Sequence, residues 1–260
     1  MLNEVTLGVS LKAYLGLAET ERWLTGISNL AVPANLRLFV LPSYLAIGVA
    51  LRVLAGTRVE VGGQDVSSEG PGPWTGEITA AALAEMGATY AEIGHSERRR
   101  LHGETDAQVA AKIARSLAAG LTPVLCVGEA THGSVQDAAA TVRDQLFRRL
   151  SGVRPGSELV VAYEPEWAIG AAESASPRRI ADVTSAIRIF ADEAGLAVRI
   201  LYGGSADRGL FGELRRVAAP GQRPDGLFLG RAGLDIANLA TIAGELSKAP
   251  RSELSEQRHS

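Results

Sequence analysis

The sequence predicts an α/β protein, a single closed (β/α)8 barrel. Three observations carry this expectation. Eight short apolar runs alternate with longer segments of helical period, the pattern of a parallel sheet with helical crossovers. Several of the runs, such as Leu159–Tyr163, are apolar throughout, as strands buried on both faces are. The chain has 260 residues, the usual size of one such barrel. The barrel domain is expected over residues 1–247, and residues 248–260 read as a loose polar tail without apolar periodicity.

The expected strands, in order, are Val5–Val9, Leu36–Leu41, Val59–Gly63, Tyr90–Ile93, Pro123–Val127, Leu159–Tyr163, Val198–Tyr202 and Gly226–Leu229. Helix starts punctuate the segments between them. Thr105-Asp106-Ala107-Gln108 is a capping box, in which the threonine and glutamine satisfy each other's free backbone donors. Ser176-Pro177 places a cap before a proline at the first helical position. Ser134 with Asp137, and Asp235, are further starts. Gly120 and Gly195 follow the helical stretches Ala107–Ala119 and Ala181–Ala194 as stops. Thr75 stands before the stretch Glu77–Met86 and could cap it.

Composition narrows the function. Hydrophobic residues make up 46% of the chain and charged residues 21%, which suits a large core under a soluble surface. The formal net charge of -3 argues against nucleic acid or an anionic membrane as the main partner. No stretch is long and apolar enough to span a bilayer, and the N-terminus lacks the pattern of a signal peptide. The single cysteine, Cys126, lies inside an apolar run, reads as a small buried residue, and cannot form an internal disulfide. The expected location is therefore the reducing cytoplasm.

The chemistry is concentrated at strand ends. Glu164 closes the sixth apolar run and is followed at once by Pro165, Trp167 and Gly170, which reads as a base on a rigid strand beside a hinged lid. His95 stands one glycine beyond the fourth run, on the same rim. A carboxylate that takes a proton from carbon, paired with an imidazole that stabilises charge on the neighbouring oxygen, suits proton transfer beside a carbonyl. The plain alternatives are a surface glutamate and a core histidine. Lys12 follows the first strand, where an ammonium could neutralise a phosphate, or could be an ordinary surface lysine. The last two strands end in the glycine turns Gly203-Gly204-Ser205 and Gly230-Arg231, the place where barrels commonly bind phosphate through backbone N–H groups. His95, His102, His132 and His259 show no metal-ligand spacing, and no dinucleotide fingerprint is present, so neither metal nor organic cofactor is expected.

With these residues in view the chain resembles the triosephosphate isomerase family, whose fold is the TIM barrel, from the first strand to the last helix. The motifs are Ala162-Tyr163-Glu164-Pro165, Trp167-Ala168-Ile169-Gly170, Ile93-Gly94-His95-Ser96-Glu97-Arg98-Arg99, Cys126-Val127-Gly128-Glu129, Tyr202-Gly203-Gly204-Ser205 and Trp74-Thr75-Gly76-Glu77. The resemblance implies that Glu164 is the general base, His95 a neutral electrophile and Lys12 the electrostatic contact; these roles come from the family and not from the residues. It implies a phosphate grip through the backbone of Gly170, Ser205 and Gly230, and a water-excluding lid over 167–175 that includes Trp167, Ala168, Ile169, Gly170 and Ala175, with Tyr202 beside it. Glu97 resembles a second carboxylate near the lysine, while Arg98 and Glu104 look structural. Thr75 would sit in a loop that braces a neighbouring subunit, so a homodimer is implied.

The departures bear on substrate. Ser10 stands where the family usually has asparagine, Gly230-Arg231 where it usually has two glycines, and Glu166 where a valine is usual. Ala171-Ala172-Glu173 replaces the usual lid tip. Glu166 and Glu173 add negative charge near a phosphate site, which costs affinity unless they are paired. Arg231 could offset this with a bidentate phosphate contact. Ser10 and Arg231 also resemble the branch that isomerises erythrulose (tetrulose) phosphate, because a shorter side chain at position 10 leaves room for a longer substrate. The leading reading is therefore an aldose–ketose isomerase of triose phosphate, with the tetrulose phosphate as the alternative. A barrel that only binds a sugar phosphate is the alternative of another class.

Overall fold

The computed structural model describes residues 4–171 and 174–248. Eight parallel strands close into a barrel in sequence order. They are β1 (Val5–Ser10), β2 (Leu36–Leu41), β3 (Val59–Gly63), β4 (Tyr90–Ile93), β5 (Thr122–Val127), β6 (Glu158–Tyr163), β7 (Ala197–Tyr202) and β8 (Gly226–Leu229). Every expected strand is present, and four of them run one residue further than the apolar pattern. The added residues, Ser10, Thr122, Glu158 and Ala197, are polar or small and so carried no hydrophobic signal. Around the strands, among the described residues, lie α1 (Leu17–Ser28), α2 (Ile47–Val53), α3 (Ala80–Glu85), α4 (Ser96–His102), α5 (Asp106–Ala118), α6 (Val135–Arg149), α7 (Pro177–Glu193), α8 (Leu210–Val217) and α9 (Ile236–Ser247). None of the described helices is long and apolar enough to cross a membrane.

The expected caps hold. Thr105 and Gln108 form the box that starts α5, Ser134 caps α6, Ser176 caps α7 ahead of Pro177, and Asp235 accepts from Ala237 and Asn238 at α9. The helix expected at Glu77–Met86 is a correction. It starts later, at Ala80, and its cap is Thr79, whose hydroxyl accepts from Ala82 N–H. Thr75 is therefore no cap. It stands in an exposed loop in which Glu77 N–H turns back onto the Trp74 carbonyl, and this turn delays the helix.

The core has two parts. Inside the barrel sit Phe39, Leu41, Tyr90, Val124, Cys126, Val160, Ala162, Leu201 and Phe228, with Phe39 stacked on Tyr90 at 4.3 Å. A larger apolar layer, including Leu7, Leu38, Val61, Ile113 and Ile242, fills the space between strands and helices. Below the helices after β3 and β4, Lys112 joins Asp65 and Glu104, and Arg98 reaches Asp65 at 2.5 Å. Arg98 and Glu104 are thus members of a buried ion network that ties α4 and α5 to the β3 loop. The barrel interior leaves little slack. A Cβ at Gly8 would come within 2.4 Å of the Phe39 ring. A Cβ at Gly226 would come within 1.6 Å of the Thr6 carbonyl oxygen, backbone that cannot move aside while β1 and β8 are paired.

Gly226→Ala is expected to lower the unfolding free energy by about 3 kcal/mol or more, as overpacking against fixed backbone does. A denaturant midpoint unchanged from the parent would mean that β8 can shift outward without loss.

Candidate active site

The C-terminal ends of β1, β4, β6, β7 and β8 surround one cavity of about 740 Å³. Its wall includes Ser10, Lys12, Glu97, Glu164, Gly170 and Ser205, and further round Gly230 and Arg231. Barrel closure thus brings together residues that are up to 221 positions apart, Ser10 and Arg231. Thr75 does not line this cavity.

Glu164 emerges just beyond β6 and is 7% exposed. Two glycines make room for it. A Cβ at Gly128 would lie 1.9 Å from the Glu164 carbonyl oxygen, and one at Gly203 would lie 2.6 Å from Glu164 Oε1. Glu164 Oε2 and His95 Nε2 face each other at 3.5 Å, and neither has a hydrogen-bond partner among the described residues. His95 caps α4 through its ring. Its Nδ1 accepts from the Glu97 backbone N–H at 3.1 Å, so the ring proton belongs on Nε2, the nitrogen that faces Glu164. The site therefore presents a desolvated acceptor and a desolvated donor that face each other without forming a hydrogen bond.

Lys12 follows β1 in a left-handed backbone conformation, with φ 47°, which costs a non-glycine residue about 1 kcal/mol. The Gln64 amide holds that turn by donating to the carbonyls of Lys12 at 2.8 Å and Leu41 at 3.0 Å. Lys12 Nζ donates to Glu97 Oε1 at 2.8 Å. Burial works against the ammonium, but its bond to Glu97 and the nearby carboxylates outweigh that and raise its pKa. Burial likewise works against the Glu97 carboxylate, and the Lys12 contact more than compensates, so its pKa is lowered. Both groups are held charged.

The turns after β7 and β8 meet the lid. The Ser205 hydroxyl donates to the Ala168 carbonyl at 2.6 Å and to that of Ala171 at 3.1 Å. Arg231 Nη2 donates to the Gly170 carbonyl at 3.0 Å. At one end of the lid, Trp167 Nε1 donates to Glu129 Oε1 at 3.0 Å, and Arg179 donates to the same oxygen at 2.7 Å. At the other end the Ala175 N–H donates to the Tyr202 hydroxyl at 2.9 Å. Ile169 and Gly170 face the cavity between these anchors. Glu166 is paired with Arg99, which also donates to the Gly94 carbonyl, so its charge is compensated. Ala172 and Glu173 lie outside the described residues.

Several residues that shape the site were assigned no role from the sequence. Gln64 braces Lys12, Arg99 neutralises Glu166, and Arg179 with Glu129 anchors the lid. The largest omission is Glu92. It is 3% exposed and accepts the Ser10 hydroxyl at 2.8 Å, and burial pushes its carboxyl up to about 7. A charged residue inside the otherwise apolar fourth run was the available signal. Cys126 is buried, and burial pushes its thiol up, as expected for a packing residue. Among the described residues, no group of three or more His, Cys, Asp or Glu side chains is placed to hold a metal ion.

Fold and rim together define a (β/α)8 barrel whose mouth is arranged for general acid–base chemistry. A sequence model described as triosephosphate isomerase matches residues 5–246. The chain is similar to an L-erythrulose-1-phosphate isomerase of Pectobacterium atrosepticum, 42% identical over 94% of this chain and 96% of the relative. It is similar to a triosephosphate isomerase of Thermus thermophilus, 41% identical over 94% of this chain and 100% of the relative. A triosephosphate isomerase 2 of Listeria innocua is 35% identical over 95% of this chain and 99% of the relative. The chain belongs to the triosephosphate isomerase family and is an isomerase.

Gly203→Ala is expected to push the Glu164 carboxylate aside and to cut kcat by about 100-fold, the usual consequence of misplacing a reacting group by an ångström. Unaltered turnover in a steady-state assay would mean that the Glu164 position is not critical.

Proposed function

We propose that the protein interconverts a small phosphorylated ketose and its isomer through an enediolate, with Glu164 as the base. The observation that carries this reading is the pair of orphaned buried atoms, Glu164 Oε2 and His95 Nε2, 3.5 Å apart, with Glu164 and Lys12 both on the cavity wall. With dihydroxyacetone phosphate, Glu164 takes a proton from C1 as the C2 carbonyl oxygen becomes an enediolate oxygen. The His95 Nε2–H and the Lys12 ammonium meet the growing charge on the oxygens. After a proton moves from O1 to O2, Glu164 returns its proton to C2 and glyceraldehyde 3-phosphate results. No electron leaves or enters, so the reaction needs no redox cofactor. The phosphate would be held by the turns at Ser205 and Gly230, with Gly170 and Arg231 closing over it. Glu97 would keep Lys12 placed.

A second substrate is favoured by a specific observation. Ser10 stands at the cavity wall and donates to the buried Glu92 behind it, and one relative of 42% identity is an L-erythrulose-1-phosphate isomerase. With a 1-phosphorylated tetrulose, the same transfer takes the proton from C3 and returns it to C2. The carbonyl moves from C2 to C3, so the product is again a ketose phosphate. A barrel that binds a sugar phosphate without turnover has less to support it, because Lys12 and Glu164 share the cavity wall and His95 faces Glu164 from behind it.

We also infer a homodimer in a reducing compartment. Thr75 stands in an exposed loop beside Trp74, whose indole is 46% exposed, and the one cysteine is buried and unpaired.

Glu164→Asp withdraws the base by one methylene and is expected to lower kcat by about 100-fold or more with little change in Tm. Full turnover by that variant would sink the base assignment. Thr75→Arg is expected to halve the sedimenting mass and to reduce activity with it; a fully active monomer would show that the loop is not a brace.

A further inference from the structure

Glu92 is a carboxyl where the barrel interior is otherwise apolar. It projects inward from β4 above Tyr90, into the layer formed by Leu41, Cys126 and Ala162. A carboxylate in such a place costs several kcal/mol unless a cation is in contact with it. Among the described residues none is, because the Lys12 ammonium is bonded to Glu97 instead. The groups that face Glu92 come from β1, β4, β5 and β6. From β1 and its loop they are the Ser10 hydroxyl, donating to Oε2 at 2.8 Å, and the Lys12 ammonium. From the end of β4 there is His95, from β5 the Cys126 thiol, 3.9 Å from Oε1, and from β6 Glu164. Packing alone gives no reason for this group, since an aliphatic side chain would fill the space without the desolvation cost.

The consequence reaches the cavity through one atom. Glu92 is not on the cavity wall, whereas Ser10 is. While the Ser10 hydroxyl donates to Glu92, its lone pairs are left to accept, and what it can accept from is a ligand hydroxyl in the cavity. We propose that Glu92 is a positioning residue for substrate choice: it orients Ser10 into an acceptor for a hydroxyl one carbon beyond the dihydroxyacetone unit, and so selects 1-phosphorylated ketoses that carry an additional hydroxymethyl group. This rests on the proton-transfer reading above, in which Glu164 moves the proton and His95 and Lys12 meet the charge on the oxygens. The chain from ligand hydroxyl through Ser10 to Glu92 ends on a charge when Glu92 is ionised, and charge-assisted bonds are the stronger ones. Burial holds the Glu92 carboxyl up to about 7, so the preference for the longer substrate strengthens as pH rises through that value and then levels off. A dihydroxyacetone unit has no hydroxyl at that position and does not share the gain.

The test compares kcat/KM for L-erythrulose 1-phosphate and for dihydroxyacetone phosphate across pH 6 to 8.5, with the native protein, Glu92→Leu and Glu92→Gln. The native protein is expected to show a tetrulose-to-triose ratio that rises through pH ~7. Glu92→Leu is expected to lower that ratio by about 10-fold or more, the worth of a hydrogen bond to a charged group. Glu92→Gln, which keeps the shape and an acceptor oxygen, is expected to flatten the pH dependence. Equal losses on both substrates in both variants would reduce Glu92 to a structural part and overturn the proposal, as would an unchanged ratio. A native protein that turns over only the triose would also overturn it, while leaving the base assignment standing. Turnover of neither substrate would remove the proton-transfer reading itself.

Discussion

Strand β1 is hydrogen-bonded to both β2 and β8, and everything at the mouth of the barrel depends on that closure. It is possible because Gly226 lets β8 lie directly against the Thr6 backbone, and because Gly8 yields its side-chain space to Phe39 and Phe228. Once the ring is closed, the end of β1 lies between the ends of β2 and β8, and Ser10 and Lys12 share one cavity wall with Gly230 and Arg231. The same ring places β6 between β5 and β7, where Gly128 and Gly203 leave the volume that Glu164 occupies. The position of Glu164 is thus a packing result. It is defined by what neighbouring strands omit.

The electrostatics of the mouth follow from a shortage of water. Lys12 faces Glu97, Glu164 and Glu92, and burial penalises the charged forms of Lys12, Glu97 and Glu92. Glu97 takes the ammonium in direct contact, and both stay charged. Glu92 has only a hydroxyl and a thiol, so its carboxyl is the one pushed toward neutrality. Four ionisable groups within one small volume therefore have unlike environments, which is how a site assigns different proton-handling tasks to chemically similar side chains. The strained backbone at Lys12 is part of the same arrangement. It is held by Gln64 from β3's loop and not by its own neighbours in sequence.

The segment after β6 is tied at both ends. Trp167 is fixed by Glu129, which Arg179 also engages, and Ala175 by Tyr202. Between these anchors the carbonyls of Ala168, Gly170 and Ala171 are held by Ser205 and Arg231, from the turns after β7 and β8. Arg231, bonded to the Gly170 carbonyl, carries these contacts across the barrel mouth.

Much of this was legible in the amino-acid sequence, and the reason is that the signals are local. Buried parallel strands need continuous apolar runs, and all eight were found within a residue of their observed ends. Helix caps need a hydroxyl or carboxylate at a fixed offset, which located the starts of α5, α6, α7 and α9. The candidate residues Lys12, His95 and Glu164 stand at strand ends, so strand assignment placed them on one rim. At α3 a local rule misled: Thr75 and Thr79 both offer a hydroxyl, and only the turn at Trp74–Glu77 decides between them. What tertiary structure alone decided is which side chains meet across the ring. Ser10 with Glu92, Arg99 with Glu166, and Gln64 with Lys12 are separated by 82, 67 and 52 positions, and no periodicity links them. Their pairing, and the charge state that burial imposes on Glu92, follow from barrel closure, because only closure sets both the distance between strands and the exclusion of water.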